Sequence, residues 1–290
     1  MTDAATDLPP EPQGRVLIVA GSDSSGGAGI QADIKAVTAL GGYAATAITA
    51  LTVQNTQGVT AVHPAPMDIV AGQIRAVLDD IGADAVKTGM LATPAVIETT
   101  LKAIDEAGGE LLPLVVDPVM VASSGARLIE EDAVAAFKSL LIPRAALVTP
   151  NAPEAEALTG ITVEDVDGQR AAGEALLAMG ARAALIKGGH LDGPQVMDVL
   201  VTRNGMRIFS RPRIRTRHTH GTGCTLASAI AALLAQGMAM DRAVEQAGDY
   251  LHEAISRAPG FGKENGPVNH GWTLVGANPF GSSLARSEPG

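Results

Sequence analysis

The densest chemical signal in the chain is His220-Gly221-Thr222-Gly223-Cys224, which opens an alanine-rich apolar run over 225–234. Two glycines ahead of a helix let several backbone N–H groups point outward together. The helix dipole adds to them, so the segment predicts an anion hole suited to phosphate. Cys224 is the only cysteine of the 290 residues. A thiol facing amide donors is expected to fall below its free value of about 8.5. Such a sulfur could accept a proton from a substrate hydroxyl. The plainer reading, a small buried hydrophobe, stays open for it. An anion hole with a base beside it points to phosphoryl transfer.

Other segments offer partners for that chemistry. Lys187-Gly188-Gly189-His190 follows an apolar stretch, and a lysine before two glycines has room to reach a phosphate. A strand-end lysine covering apolar surface is the alternative. His190 reads as a loop hydrogen-bonder. Asn151 and Glu154 stand three apart at a helix start, the spacing of a capping box. The same pair suits hydrated Mg²⁺, which keeps several waters and needs few carboxylates. Asp117, before Pro118 and Val119, is a metal or phosphate-orienting candidate or a turn starter. The stretch 21–29 is glycine-rich, yet it has neither the lysine of a P-loop nor Gly-x-Gly-x-x-Gly spacing. Gln54 could pair with a ring nitrogen beside an exocyclic amine, as Gln does on adenine. Asp33, on the helix after the glycine-rich loop, reads as solvated.

Alternating apolar runs and helical patterns must position these groups. Strands are expected over 16–20, 46–53, 85–88, 114–116, 146–149 and 183–187. Helices are expected over 28–40, 67–81, 94–107, 130–141, 153–159, 168–179, 222–236 and 241–257, the third capped by Thr93 with Pro94 in its first turn. Asn204-Gly205 between 197–202 and 206–210 signals a hairpin. The expected fold is α/β, a mostly parallel sheet covered by helices on both faces, with some antiparallel pairing at one side. Ligands of such sheets bind beyond the carboxyl ends of the strands. Asp23, Gln54, Met90, Asp117, Asn151, Glu154 and Lys187 each follow an expected strand.

Composition narrows the partners. Net charge is −10 and aromatic content 2%. The chain therefore has neither the basic face nor the stacking platforms of a nucleic-acid binder. The basic segment 211–217 reads as a solvated strand edge or loop. A single cysteine fits a reducing cytoplasm. No signal peptide is legible, and no apolar run reaches the roughly 18 residues of a membrane span. One domain over 15–270 is expected, with tails at 1–14 and 271–290. The apolar helices offer a face for a homodimer, by analogy with other enzymes of this shape.

Taken in order, the stretches 20–33, 49–56, 87–91, 117–120, 149–154, 187–190, 220–224 and 266–270 resemble the ribokinase-like superfamily. More closely, they resemble the bifunctional hydroxymethylpyrimidine/phosphomethylpyrimidine kinases of thiamine biosynthesis. The likeness runs over about 15–270. It implies that Asp33 and Gln54 hydrogen-bond an aminopyrimidine in a pocket shaped by Gly21, Met90 and Val119. It implies that Cys224 is the proton acceptor beside Gly221 and Gly223, where the wider sugar-kinase superfamily carries aspartate. Lys187, Thr222, Gly223, Asp117 and Glu154 would form the ATP-phosphate site, within which Asp117, Asn151 and Glu154 would organise Mg²⁺ largely through water. The implied reaction adds one phosphate to 4-amino-5-hydroxymethyl-2-methylpyrimidine and then a second. A pyridoxal/pyridoxine kinase of the same fold, a ribokinase-type sugar kinase and a non-catalytic pyrimidine-binding module are the rival readings.

Overall fold

The protein is described here by a computed structural model covering residues 13–120 and 131–274. The first strand, β1 (Arg15–Ala20), is buried from Val16 onward. A continuous apolar run of this kind marks a strand covered on both faces. Its odd and even residues go opposite ways. Leu17 and Val19 enter one core cluster, and Val16, Ile18 and Ala20 the other.

Around β1 lie β2 (Tyr43–Ile48), β5 (Ala85–Thr88), β6 (Leu114–Val116), β7 (Leu147–Val148) and β8 (Ala183–Ile186), all parallel. The hairpin β9 (Gln195–Thr202) and β10 (Gly205–Pro212) closes one side antiparallel. The sheet order is β10-β9-β8-β7-β6-β5-β1-β2. Chain order reverses at β1, so the crevice between the loops after β1 and β5 is where a ligand site is expected.

Helices α1 (Gly29–Ala39), α7 (Thr222–Ala235) and α8 (Met240–Ser256) pack on one face of the sheet. Helices α2 (Met67–Ala76), α3 (Pro94–Glu106), α4 (Glu131–Ala136), α5 (Ala152–Thr159) and α6 (Val166–Ala178) cover the other. Their starts obey local chemistry. Thr93 caps α3 by accepting from the Val96 N–H, with Pro94 in the first turn. Asp165 caps α6 from the Gly168 N–H. Helices α2 and α4 each end in a single π turn, at Val77–Ile81 and Phe137–Leu141.

One expected strand is wrong. The stretch 46–53 is not continuous: β2 ends at Ile48, and β3 (Ala50–Asn55) leaves to pair antiparallel with β4 (Gly58–Pro64) in a separate two-stranded flap. Thr49 is the pivot. Its N–H donates to Ala20 O, its carbonyl accepts from Ala65, and its hydroxyl donates to Met90 O. β-Branched residues announce extended backbone but not which partner it takes, so the break was invisible in composition.

Of the expected tails, residues 1–12 and 275–290 lie outside the described residues, as does the expected helix start at Glu130. The packed chain reaches beyond 270: Trp272 stacks on Tyr250 with centroids 6.0 Å apart, and the Thr273 hydroxyl donates to Ala39 O. Among the described residues, no helix is long and apolar enough to cross a membrane.

Candidate active site

The start of α7 is a tight glycine turn, the place where the sequence predicts an anion hole. Gly221 holds a positive φ of 79°. A Cβ there would collide with the Gly27 carbonyl oxygen, so only glycine fits. The Thr225 hydroxyl donates to Gly221 O at 2.7 Å and meets His270 Nε2 at 2.9 Å. This fixes the turn from below; the Thr222 N–H donates to Thr219 O at 3.3 Å, and the next N–H groups, Gly223 and Cys224, precede the first intrahelical bond, from Thr225 to Gly221 O.

Facing that turn is a cation between two carboxylates. Lys187 Nζ lies 3.2 Å from Asp117 Oδ1 and 3.7 Å from Glu154 Oε2. Burial works against the lysine's charge, but Asp117 and then Glu154 outweigh it and hold the ammonium above its ordinary range. A Cβ on Gly223 would lie 3.3 Å from Lys187 Nζ and 3.6 Å from Asp117 Oδ2. The anion hole and the lysine are therefore in direct apposition. Asn151 and Glu154 form the full capping box at the start of α5, in which the Asn151 side chain accepts from the Glu154 N–H and the Glu154 carboxylate from the Asn151 N–H. Burial, with help from Asp117, raises Glu154 despite Lys187. Asp117 Oδ2 is buried with no hydrogen-bond partner among the described residues, an open acceptor that suits a magnesium-bound water.

A cavity of about 730 Å³ runs along this edge. Its size is within the range of ligand pockets. Cys224, Gly221, Thr222, Gly223, Lys187, Asp117, Asn151 and Glu154 line it. Gly21, Met90, Val119 and Gln54 line it too. A Cβ on Gly21 would fall 2.5 Å from Met90 Cε, so these two residues share one wall.

Three expectations need correcting. Asp33 does not line the cavity. It is fully buried, and both its oxygens lie 2.9 Å from Lys87 Nζ while Oδ1 also accepts from the Ser228 hydroxyl at 2.7 Å. It is neither solvated nor placed to touch a pyrimidine. Gln54 reaches the cavity from inside β3 of the flap, not from the edge of the central sheet. Its backbone is tied to Ser24, its Oε1 accepts from Thr52, and its Nε2 makes no hydrogen bond among the described residues. Cys224 is not a low-pKa thiol. Burial pushes it up to about 12; Lys87 opposes that, Asp33 and Asp117 reinforce it, and a backbone hydrogen bond from Gly29 relieves it slightly.

Two residues received no role from the sequence. Asp23 is buried and accepts from His220 Nε2 at 2.7 Å, from Ala28 N at 2.8 Å, and from the backbone and hydroxyl of Ser25. Burial raises its carboxyl, but His220, Ser25 and Ala28 together bring it below its usual range. The pair joins the glycine-rich loop to the anion hole. The sequence places Asp23 at the ligand edge after the first strand and, two residues before a Ser, in a common self-bonding turn, but nothing in it announces His220 as a partner.

A glycine-bearing helix start opposite a paired lysine, at the switch point of this sheet, fits a ribokinase-like phosphotransferase. Known proteins of similar sequence and shape agree. An ADP complex of a Bacillus subtilis pyridoxal kinase superposes with a TM-score of 0.82 at 35% identity, covering 89% of this chain and 97% of that one. The hydroxymethylpyrimidine/phosphomethylpyrimidine kinase of Bacillus subtilis is 46% identical over 257 residues, 88% of this chain and 94% of the relative. The thiamine biosynthesis bifunctional protein ThiED of Geobacter sulfurreducens is 49% identical over 261 residues, 90% of this chain; the match spans about half (53%) of that relative's length. The profile described as phosphomethylpyrimidine kinase matches residues 23–269. The chain belongs to the phosphomethylpyrimidine kinase family.

Proposed function

We infer that this enzyme transfers the γ-phosphoryl group of ATP to 4-amino-5-hydroxymethyl-2-methylpyrimidine, and then a second phosphoryl group to the monophosphate, serving thiamine biosynthesis in the cytoplasm. The observation that carries the transfer is the apposition of Lys187, Asp117 and the Gly223 turn at the strand ends.

Positioning and charge stabilisation supply most of the catalysis in such reactions. The N–H groups of Gly223 and Cys224 would stabilise the charge gained by the transferring oxygens, as in an oxyanion hole, while the Thr222 N–H is spent on Thr219 O. Lys187, kept protonated by its two carboxylates, neutralises the same charge from the opposite side. Mg²⁺ would be held through water by Asp117, Asn151 and Glu154 and would offset the phosphate charge. Cys224 takes the hydroxyl proton in the first step. With its thiol near 12, the competent thiolate is a minor species at neutral pH. In the second step the nucleophile is already a phosphate, so the sulfur matters less.

Gln54 supports the pyrimidine over pyridoxal, because its Nε2 is open to donate to a ring nitrogen while Oε1, accepting from Thr52 at 3.2 Å, keeps a second lone pair for an adjacent amine. The identity gap, 46% against 35% for the two Bacillus subtilis relatives, points the same way. The test is product analysis with purified protein, ATP, Mg²⁺ and each alcohol separately. Pyrimidine mono- and diphosphate are the expected products. Preferential phosphorylation of pyridoxal, or no transfer to either alcohol, overturns the assignment.

A further inference from the structure

Lys87 is the one charged side chain on β5, and the proposed transfer gives it no role. Its register partners Ile18 and Val115 point into the core beneath α1 and α7. Lys87 points there as well, and its side chain is 0% exposed. Two contacts hold it: Asp33 of α1, with both oxygens at 2.9 Å, and through Asp33 the Ser228 hydroxyl of α7. Ser228 is four residues after Cys224, so the two share one face of α7, a turn apart. Gly89 leaves the space over the ammonium open, since a Cβ there would lie 3.0 Å from Nζ. A third ammonium hydrogen has no acceptor among the described residues.

A fully buried ion pair is a poor device for stability, because desolvation offsets its attraction. Apolar residues would serve the same core at least as well. Something other than stability then accounts for a charge at this point, and the group stacked one turn above the pair's α7 contact is the chain's only sulfhydryl.

We propose that Lys87 is a positioning residue: a fixed positive charge, oriented by Asp33 and Ser228, that sets the proton affinity of Cys224 from beneath. This rests on the reading of Cys224 as the first-step proton acceptor only for its consequence in turnover. The charged groups around the sulfur are Lys87 from β5, Asp33 from α1, Asp117 after β6 and, across the cavity, Lys187 after β8. Lys87 alone of these cations sits behind the helix turn, outside the cavity lining, where bound phosphates do not displace it. Its partner Asp33 works in the opposite direction. Removing the lysine charge should make the thiol harder to ionise, and removing the aspartate charge should make it easier.

Because there is one cysteine, the thiol can be titrated on the intact protein by the pH dependence of its alkylation with iodoacetamide, without nucleotide. Lys87→Met is expected to slow alkylation at pH 9 at least tenfold, the mark of a thiol raised by a full pH unit. Asp33→Asn keeps the size of the side chain and an oxygen for Ser228. It is expected to speed alkylation about tenfold. A purely structural pair gives another pattern: loosening admits water and accelerates alkylation in both variants. Acceleration in both, or no change in Asp33→Asn, overturns the proposal. If Lys87→Met does not fold, Asp33→Glu supplies the second arm: it keeps the charge while disturbing the packing, so alkylation stays near the parent rate under electrostatic control and accelerates if the pair is only structural, which overturns the proposal. First-step turnover, measured beside it, should fall in Lys87→Met and rise in Asp33→Asn with little change in KM. Opposite alkylation shifts with flat turnover would leave the electrostatic control standing and remove the base role from Cys224.

Discussion

Gly223→Ala separates the fold from the chemistry. Gly223 is the second residue of α7, where its N–H has no intrahelical partner. Alanine improves helix propensity there by about 1 kcal/mol. The new methyl meets Lys187 Nζ at 3.3 Å, the end of a flexible side chain that can yield slightly. The two effects nearly cancel, so the melting temperature should stay within about 3 °C of the parent. Activity has no such compensation. The methyl stands between the turn and Lys187, the gap a phosphate oxygen must enter to come within about 3 Å of the N–H. Losing one donor of this kind costs about 10²–10³-fold in turnover, or roughly 3–4 kcal/mol of transition-state stabilisation. The proposed mechanism uses one hole for both steps, so both should fall together. The assay is ADP formation with each acceptor, alongside differential scanning fluorimetry. Gly221→Ala is the contrasting variant. Its Cβ would run into Gly27 O, and its backbone sits in the left-handed region, so it should lose stability outright. A Gly223→Ala enzyme keeping more than a tenth of wild-type turnover in either step would show that the phosphate does not sit over this turn.

Cys224→Ala should cost the first phosphorylation about 10²–10⁴-fold and the second far less; equal losses, followed by separate assays of the two acceptors, would remove the sulfur from the proton transfer. With the thiol near 12, wild-type first-step turnover should also climb about tenfold per unit between pH 7 and 9, a slope absent from the second step. Lys187→Met should lower turnover about a hundredfold at saturating pyrimidine. It also strands Asp117 and Glu154 without a counter-charge. Chemical denaturation should therefore show a loss of about 3 kcal/mol. His270 is buried against Thr225, and burial, with Lys35 and His220, lowers it to about 4. Unfolded, it binds a proton near 6.5. Its contribution is therefore complete above pH 6.5 and is lost as pH falls toward 4, up to about 3 kcal/mol. His270→Gln should flatten the acid limb of a melting-temperature profile over that window.

Much of the frame was legible because each strand–helix unit carries its own punctuation. Thr93-Pro94, the Asn151/Glu154 box and the Asn204-Gly205 turn mark their elements locally. Apolar strands with small residues after them gave the parallel sheet, and the sheet gave the edge where Lys187, Asp117 and Gly223 meet. What stayed hidden depends on partners far away in the chain. Asp33 looked solvated because nothing near it announces Lys87, 54 residues on, or Ser228, 195 residues on. His220 is separated from Asp23 by 197 residues. The Cys224 thiol differs for the same reason: a helix start favours the thiolate, but the desolvation at the cavity wall and the neighbouring Asp33 and Asp117 belong to the tertiary structure. The flap was missed because a change of strand partner at Thr49 leaves no mark in residue type.

The hairpin of β3 and β4 gives the enzyme a modular economy. The groups assigned to phosphoryl transfer stand on strand ends and a helix start rooted in the central sheet, whereas Gln54 arrives on an appended ribbon outside that sheet. The ribbon is anchored chiefly at the Thr49 pivot and by the Ser24 and Thr52 hydroxyls, so its inward residues can be exchanged with little disturbance to the Lys187 cluster. Acceptor choice can thus drift, or be redesigned by hairpin grafting, on a chassis whose donor chemistry stays constant.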